Sequence, residues 1–363
     1  MRSIIFLAVM VFISNAQAHS DHLKIKTTLS SAEQKVVQHQ SGLIKVEALL
    51  DKGRSLSEEK YYRQARELLL NNELNSPMSL VFEAEIAQYF HEFDLAIKLL
   101  NKSKQNVTTH LMKANTYITQ GKVAQAKKSC KQLYAKTETI IYMTCIAKVT
   151  SMQGKLDKSY QLMSYLIKQY ENEKNANKAI MHWAYVSTAE MAERMKNPEV
   201  AKRLYQKALR IHKNDIATRI AYADILLAEK QYKKVEALTK KYLQHDPLML
   251  RYVRALNIQG DLRTSAHFCE LKRRILNYDD KKAHLHYDTL AEYYYYFNQG
   301  QDLAHKYANK HWQQQKTPRD ARLLAKVAAS QYDEPAIQAI QMWLAENKTE
   351  DALLTSLLSD VLI

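Results

Sequence analysis

The chain has 363 residues, and its 53 lysines and arginines outnumber its 38 aspartates and glutamates, which gives a formal net charge of +15 at pH 7. It contains only six glycines and five prolines. Since glycine makes up about 7% of an average protein, this composition argues against glycine-rich phosphate loops, Rossmann turns and β-sandwich turns. We therefore expect an all-α fold. No linker rich in glycine, serine or proline divides the chain into separate domains.

Residues 1–18 have the pattern of a secretory signal peptide. Arg2 precedes ten apolar residues from Ile4 to Ile13, and the run Ala16-Gln17-Ala18 has the spacing of a cleavage site. A membrane anchor would need about 18 apolar residues or more, and no cysteine follows the cleavage site for lipid attachment. The sequence predicts cleavage after Ala18 and a soluble exported protein, periplasmic or secreted, with no transmembrane segment after cleavage.

Residues 19–31 are polar and predict a flexible N-terminal tail. The tail begins His19-Ser20-Asp21-His22, where a free terminal amine and an imidazole together can hold copper. A disordered tail explains the same residues, so we predict no metal and no cofactor here. An enzyme or metal carrier that starts at His19 is kept as a third hypothesis.

From residue 32 to residue 363, a small residue that starts the apolar stripe of a helix recurs about every 34 residues, the length of a two-helix repeat. After Ala201, apolar residues follow at the helical spacing, as Leu204, Tyr205, Ala208 and Leu209, so one stripe is buried. A helix pair cannot bury both its stripes alone, and such units stack. We predict about nine pairs and a C-terminal capping helix. The recurring positions are Ala65, Ala96, Ala126, Ser159, Ala201, Val235, Ser265, Ala304 and Ala336.

The expected helix boundaries carry capping signals. Ser76, Asn197, Asp246 and Thr317 each precede a proline, which favours a capped helix start with proline in the first turn. Glu334 before Pro335 is a weaker version. Four glycines follow glutamine where the first helix of a pair should end in a left-handed residue. They are Gly121, Gly154, Gly260 and Gly300.

These features resemble the tetratricopeptide repeat family. Tyr287, Leu290, Ala291 and Tyr294 match the first helix of that repeat, and the turns Gln120-Gly121-Lys122, Gln153-Gly154-Lys155 and Gln259-Gly260-Asp261 match its turn. The resemblance runs from about Val46 to Asn347 and implies a right-handed superhelical solenoid. The Sel1-like repeat is the nearest rival, and its more regular glycines are missing here.

The chain has three cysteines, fewer than an exported protein stabilised by disulfides normally carries. Cys130 and Cys145 should lie on consecutive helices of adjacent repeats, where a bridge between them is one reading. The favoured reading is that Cys130, Cys145 and Cys269 are small buried apolar residues.

In tetratricopeptide arrays the first helix of each pair usually lines a concave face that binds peptides. The resemblance therefore implies a set of partner-binding residues on these helices. Of the tyrosine run at 293–296, we expect Tyr293 and Tyr294 in the core and Tyr295 and Tyr296 at the surface. The concave-face candidates are Glu85, Gln88, Tyr89, Asn115, Lys148, Glu190, Arg194, Asp224, Arg254, Asn257, Glu292, Tyr295 and Tyr296.

Basic residues cluster on the second helices, which predicts a basic outer face. A solvated helix surface explains such charge, and the alternative is electrostatic docking to an anionic envelope component. The predicted export, and not the charge, argues against nucleic acid. The basic candidates are Lys202, Arg203, Lys207, Lys233, Lys234, Lys240, Lys241, Lys272, Arg273 and Arg274.

The sequence has no phosphate-binding loop, nucleophile elbow, zinc-protease motif or haem-attachment motif, so we predict no enzymatic activity. Five further histidines show no ligand spacing, and we predict no metal site among them. They are His182, His212, His245, His305 and His311. The predicted function is an exported scaffold or adaptor that binds a partner protein or peptide through its concave face, in processes such as cell-envelope assembly or maturation of exported proteins. The alternative is a protein whose basic face binds an anionic envelope polymer or a membrane surface.

Overall fold

The computed structural model describes residues 31–71, 76–278, 285–297 and 299–359, with the backbone alone for residues 31–41. Every regular element in this part of the chain is an α-helix, which confirms the all-α class. The nineteen described helices are α1 (Ser31–Leu56), α2 (Glu59–Asn71), α3 (Pro77–Tyr89), α4 (Phe93–Lys102), α5 (Val107–Thr119), α6 (Val123–Lys131), α7 (Thr139–Thr150), α8 (Leu156–Glu171), α9 (Lys178–Arg194), α10 (Pro198–Ile211), α11 (Ile216–Ala228), α12 (Tyr232–Thr239), α13 (Asp246–Ile258), α14 (Thr264–Leu276), α15 (Tyr287–Tyr296), α16 (Gln301–Gln314), α17 (Pro318–Gln331), α18 (Glu334–Asn347) and α19 (Ala352–Ser359).

The predicted signal peptide and the tail up to residue 30 lie outside the described residues, so export stays a prediction. None of the described helices is both long and apolar enough to cross a bilayer.

In the described part of the chain, helices α1 to α18 can be grouped as nine successive pairs, and α19 comes after the last pair. We call the odd-numbered first helices of the pairs, and α19, A helices and the even-numbered second helices B helices. The nine recurring small residues all lie on B helices, and eight are buried, as the stripe pattern predicts. Ser265 is exposed, because α14 turns only Leu271 and Ile275 into the core.

The chain forms two compact units, within residues 1–113 and 114–363. In the first unit α1 packs on α2 and α3, and α3 packs on α4. Its core includes Ala84, Ala87, Ala96, Leu100 and Met112, all at most 1% exposed.

In the second unit, consecutive helices pack against each other from α6 to α14 and from α15 to α18. Successive A helices also contact each other directly: α11 contacts α13, α13 contacts α15, and α15 contacts α17. The largest fully buried side chain in the core of α9 to α12 is Tyr205, which is surrounded mainly by alanines and leucines. These contacts are the kind that stacked helix pairs make.

The C-terminal helices also contact helices much earlier in the second unit. Helix α19 packs on α9, and the Lys316 N–H donates to the Thr119 carbonyl at 2.8 Å. The Thr349 hydroxyl donates to the Met152 carbonyl at 3.0 Å. In a purely one-dimensional array each repeat contacts only its neighbours. The second unit departs from that pattern, because its last helices cover the ends of earlier A helices.

The caps largely follow the sequence signals. Ser76, Asn197 and Thr317 accept backbone N–H groups at the starts of α3, α10 and α17. Asp246 instead begins α13 itself, and Asp333 caps α18 in place of Glu334.

Gly121 combines a left-handed backbone with a close approach. Its φ is 71°, and an added Cβ would lie 2.7 Å from the Lys316 Cβ. The turn after α5 therefore has no room for a side chain. Gly300 differs from the expectation, since it has a φ of 150° and precedes α16 as its N-cap.

Cys130 and Cys145 form a disulfide that joins α6 to α7 across Cα atoms 5.6 Å apart. The favoured expectation of three buried free thiols is therefore wrong, because consecutive helices bring these two sulfurs together. It is also wrong for Cys269, which is free and exposed on the thinly packed helix α14.

Candidate functional site

Arg251 is the buried centre of a group of charges on successive A helices. Its side chain, on α13, is 2% exposed, and it contacts both carboxylate oxygens of Asp224 on α11, with Nε 2.7 Å and Nη2 3.0 Å away. Nη2 also donates to Glu292 on α15 at 2.8 Å, and Nη1 donates to the Pro247 carbonyl at 2.9 Å. Arg319 on α17 forms a further ion pair with Asp224. We call Arg251, Asp224, Glu292 and Arg319 the inner charge network.

The inner charge network keeps its groups ionised although Arg251 is buried and its three partners are partly buried. Burial by itself would raise the pKa of Asp224, but Arg251 and Arg319 hold that pKa well below its usual range. Burial likewise opposes the charge of Arg251, and Asp224 and Glu292 outweigh it and raise the pKa of the guanidinium. Paired charges with good hydrogen-bond geometry are the form in which ionised groups persist inside proteins.

Helix α17 carries a second arginine that reaches a more distant A helix. Arg322 contacts Glu193 on α9 at 2.5 Å and Asp351, just before α19, at 3.0 Å. Glu193 also accepts a hydrogen bond from the Tyr205 hydroxyl at 3.1 Å. Helix α17 is thus bound by ion pairs to both α9 and α11.

Next to the inner charge network lies a half-buried group of cations and tyrosines. The Arg254 guanidinium carbon stands 3.2 Å from the centre of the Tyr296 ring, a cation–π arrangement. Tyr295 and Tyr296 meet edge to face at 4.9 Å, and the Lys326 ammonium lies 3.5 Å from the Tyr296 hydroxyl. Burial raises the pKa of Tyr295, so its hydroxyl is protonated at neutral pH. We call Arg254, Tyr295, Tyr296 and Lys326 the cationic–aromatic patch.

The structure therefore brings together five of the concave-face candidates. Asp224 and Glu292 meet through Arg251, while Arg254, Tyr295 and Tyr296 form most of the cationic–aromatic patch. As expected, the neighbouring Tyr293 and Tyr294 are buried.

The prediction for Arg194 is wrong. We expected it on an accessible face, but it is 5% exposed, and its guanidinium donates to the Ser151 carbonyl at 3.0 Å and to the Ser151 hydroxyl at 2.5 Å. Burial lowers the pKa of Arg194 to about 10, which leaves it protonated at neutral pH. Since the C-terminal residues around Asp351 cover this end of α9, Arg194 is a structural residue.

Four other candidates lie apart within the second unit. Asn115 and Asn257 are exposed. Lys148 and Glu190 are half-buried and lie 3.4 Å apart across α7 and α9. These two are positioned by each other and stay partly accessible.

The remaining three candidates lie on α3 in the first unit, and each has an intramolecular contact. Glu85 pairs with Arg54 at 2.5 Å, and the Gln88 amide donates to the Met112 carbonyl at 3.1 Å. Tyr89 stacks on Tyr62 with 3.8 Å between ring centres.

Among the basic candidates, the prediction for Lys202 is wrong. We expected it on the exposed outer face, but it is buried, with its ammonium 2.8 Å from Glu199 and 2.5 Å from Glu229. It joins α10 to the end of α11, which is a structural role.

The other basic candidates remain on the surface to different degrees. Lys207 is half-buried, with its ammonium 2.7 Å from Glu171. Lys233 pairs with Glu236, while Arg273 and Arg274 pair with Glu270. The remaining five basic candidates are exposed and form no ion pair with any described residue. They are Arg203, Lys234, Lys240, Lys241 and Lys272.

Two of the five histidines in which the sequence showed no ligand spacing, His182 and His212, meet at a helix junction. His182 on α9 lies 2.9 Å from the Asp215 carboxylate, measured from Nε2 to Oδ2. The rings of His182 and His212 stand edge to face at 5.7 Å. Ligand spacing did not predict this group because His182 and His212 belong to successive helices. The usable signal was that His182 lies near the start of α9 and His212 caps the end of α10, so both lie at the same end of the pair.

No protein-family model and no curated protein matches this sequence. The tetratricopeptide assignment therefore stays a prediction from the repeats themselves.

Proposed function

We propose that the protein is a non-enzymatic, exported helical-repeat scaffold or adaptor of the tetratricopeptide type, which binds a protein or peptide partner through its A helices. A role in cell-envelope assembly or in maturation of exported proteins fits such a scaffold, and binding of this kind needs no cofactor. The observation that carries the proposal is the cationic–aromatic patch, to which the successive A helices α13, α15 and α17 each contribute side chains.

The chemistry of the patch favours a partner that combines carboxylates with apolar side chains. Arg254 and Lys326 offer two cations, and Tyr295 and Tyr296 offer large apolar faces with few rotatable bonds. Tyrosine and arginine are also enriched among the residues that dominate binding energy at protein interfaces. The inner charge network beneath the patch fixes its helices, so little ordering remains to oppose binding.

The disulfide supports the exported location. Structural disulfides persist in oxidising compartments and are rare in the cytosol. The bridge between Cys130 and Cys145 is therefore in keeping with the predicted signal peptide.

A photo-crosslinking amino acid tests the proposal. Placed at Tyr295 in the full chain, it should yield one defined protein adduct in an envelope fraction. The same group at Tyr165, an exposed B-helix tyrosine on α8, is the matched control and should yield none. Equal labelling from both positions, or no adduct from Tyr295, would count against the proposal.

A second function is favoured by the exposed lysines. Lys234, Lys240 and Lys241 carry charge that no described carboxylate pairs, and Lys233 lies beside them. We call these four the outer lysines. A surface of this kind attracts an anionic envelope polymer or membrane surface, with binding that weakens as salt screens the charges.

Charge reversal separates the second function from the first. Replacing the outer lysines with glutamate should abolish retention on an anionic polysaccharide and leave the Tyr295 adduct unchanged. The control variant reverses four dispersed exposed lysines, Lys136, Lys155, Lys158 and Lys168, and so has the same net charge. Equal losses in both variants would indicate a response to net charge alone and exclude a specific polymer site.

A further inference from the structure

His182, His212 and Asp215 come together from three consecutive helices of the second unit. His182 lies near the start of α9, His212 is the C-cap of α10, and Asp215 is the N-cap of α11. One donor atom from each lies within 4.8 Å of the other two, which is the one such three-ligand group in the part of the chain that the structure describes.

We propose that His182, His212 and Asp215 form a binding site for a divalent transition-metal ion, with zinc as the cognate ion. Two imidazoles and one carboxylate are a donor set that zinc prefers, at bond lengths near 2.0–2.2 Å. Tetrahedral zinc at such lengths holds its ligand atoms about 3.4 Å apart. The three donor atoms already lie within 4.8 Å of one another, with Nε2 of His182 and Oδ2 of Asp215 at 2.9 Å, so small side-chain rotations reach this spacing.

The carboxylate of the site is held in place before any ion binds. The Thr218 N–H donates to Asp215 Oδ1 at 3.1 Å, and the Thr218 hydroxyl donates to Oδ2 at 2.5 Å. This capping interaction fixes the rotamer of the carboxylate, as outer-shell hydrogen bonds do in metal sites. The position of Asp215 therefore follows from the start of α11.

The three residues of the site differ in how far they are buried. His182 is 5% exposed, whereas His212 and Asp215 are half-buried. Three protein ligands would leave a fourth position for an exchangeable ligand, and His212 and Asp215 lie on the more exposed side of the site. That arrangement is typical of zinc sites that accept an exchangeable fourth ligand.

Arg219, a cation that interacts electrostatically with Asp215, is held by other groups. The Arg219 guanidinium donates to the carbonyls of Lys213 and Leu238 and lies over the Tyr242 ring at 3.9 Å. Its hydrogen bonds point to backbone oxygens, so Asp215 keeps its charge for the site.

Titration of the full processed chain with Zn²⁺ alone, followed by calorimetry, tests the proposal, and Co²⁺ absorption reports the geometry. We expect one ion to bind with tetrahedral Co²⁺ bands. His212→Ala and Asp215→Asn should each weaken zinc binding by more than about 100-fold, which exceeds the usual effect of an outer-shell change. Thr218→Val, an outer-shell change, should weaken it by about 10- to 100-fold.

Two features of these variants keep the test decisive. Asparagine caps helices as well as aspartate does, so Asp215→Asn should fold and melt as the parent chain does. His305→Ala removes a histidine from another histidine–aspartate pair, with Asp333, and should leave zinc binding unchanged. The N-terminal His19 and His22 are present in every variant, so any binding there cancels in the comparison.

Two results would overturn the proposal. One is a parent chain that binds no Zn²⁺ at micromolar concentration. The other is equal binding by the parent chain, His212→Ala and Asp215→Asn, which would place the ion elsewhere. Neither result bears on the Tyr295 crosslink, so failure of the metal site is distinguishable from failure of the proposed function.

Discussion

The A helix α13 and the B helix α12 of the second unit carry their charges in opposite ways. On the A helices, Arg251 is 2% exposed at the side chain and contacts both Asp224 and Glu292. On the B helix α12, Lys233 is 74% exposed at the side chain, and Lys234 is exposed as well. The same residue classes thus serve as internal connections in one place and as solvated surface in the other.

The contrast shows why the net charge of +15 says little about binding by itself. The donors of a buried arginine between two carboxylates are already engaged, so it contributes little to binding an external ligand. Removing the arginine leaves the carboxylates uncompensated. An exposed lysine costs little to remove but contributes to the long-range field. Binding by the A helices should therefore depend on groups beside the network, such as Arg254 and Tyr295, more than on the network itself.

The largest expected effect is at Arg251. Arg251→Ala leaves the partly buried carboxylates of Asp224 and Glu292 without their main partner and should lower the unfolding free energy by about 3–5 kcal/mol. Chemical denaturation followed by circular dichroism measures this. Arg263→Ala is the matched control, because Arg263 also pairs with two carboxylates but is half-exposed, and it should leave the midpoint unchanged. Similar losses in both variants would remove the distinction between buried and exposed pairs.

The next largest effect is expected when the disulfide is removed. This bridge joins the B helix α6 to the A helix α7. Its cysteines are 15 residues apart, and a loop of that length corresponds to about 3 kcal/mol of stabilisation. Cys130→Ser combined with Cys145→Ser should lower the unfolding free energy by that amount. Reducing agent should do the same to the parent chain and nothing to the double variant. Cys269→Ser should leave stability unchanged, and a comparable loss there would contradict the assignment of the bridge.

A pH series changes one buried charge without mutation. Burial opposes the charged form of His311, but Asp320, Asp288 and Glu292 outweigh it and raise the pKa of His311 to about 9. The pKa of a histidine in the unfolded chain is near 6.5. The stabilisation of the folded state by protonated His311 is therefore fully present below pH 6.5 and is lost as the pH rises through about 9. Its size is about 3 kcal/mol by linkage.

Denaturation at pH 6.5 and pH 9.5 measures this loss. His311→Gln should reduce the difference between the two pH values, because glutamine does not titrate. His305→Gln is the control for a half-exposed histidine and should keep the difference. A parent chain as stable at pH 9.5 as at pH 6.5 would contradict the raised pKa.

The smallest effect is expected at the outer lysines. Neutralising Lys233, Lys234, Lys240 and Lys241 to glutamine removes exposed charges and should change the unfolding free energy by about 0.5 kcal/mol or less for each substitution. The same denaturation measurement applies. A loss as large as that of Arg251→Ala would mean that these lysines are structural, as Lys202 is.

The local features of the fold were predictable from the sequence, because they depend on short-range patterns. Burial of Ala201 and Tyr205 follows from helical spacing, and the caps at Ser76 and Thr317 follow from side chains next to proline. Ser265 broke the pattern, because a small residue at the right spacing does not ensure a partner helix above it.

Contacts between distant helices were not predictable in this way. Arg251 finds Asp224 and Glu292 on two other helices, and Arg194 is buried by residues about 155 positions later, a distance over which periodicity carries no information. The same reason explains the missed meeting of His182 with Asp215. Resemblance to an open array favoured accessible A helices, and the C-terminal helices of this chain cover part of them.

The central claim is that the C-terminal helices of the second unit hold its earlier A helices together through partly buried ion pairs. A double-mutant cycle at Glu193 and Arg322, residues of α9 and α17 that are 2.5 Å apart, tests it most directly. Unfolding free energies of the parent chain, Glu193→Ala, Arg322→Ala and the double variant should give a coupling energy above about 1 kcal/mol. A coupling energy indistinguishable from zero would contradict the claim, because it would mean that the two residues do not interact in solution.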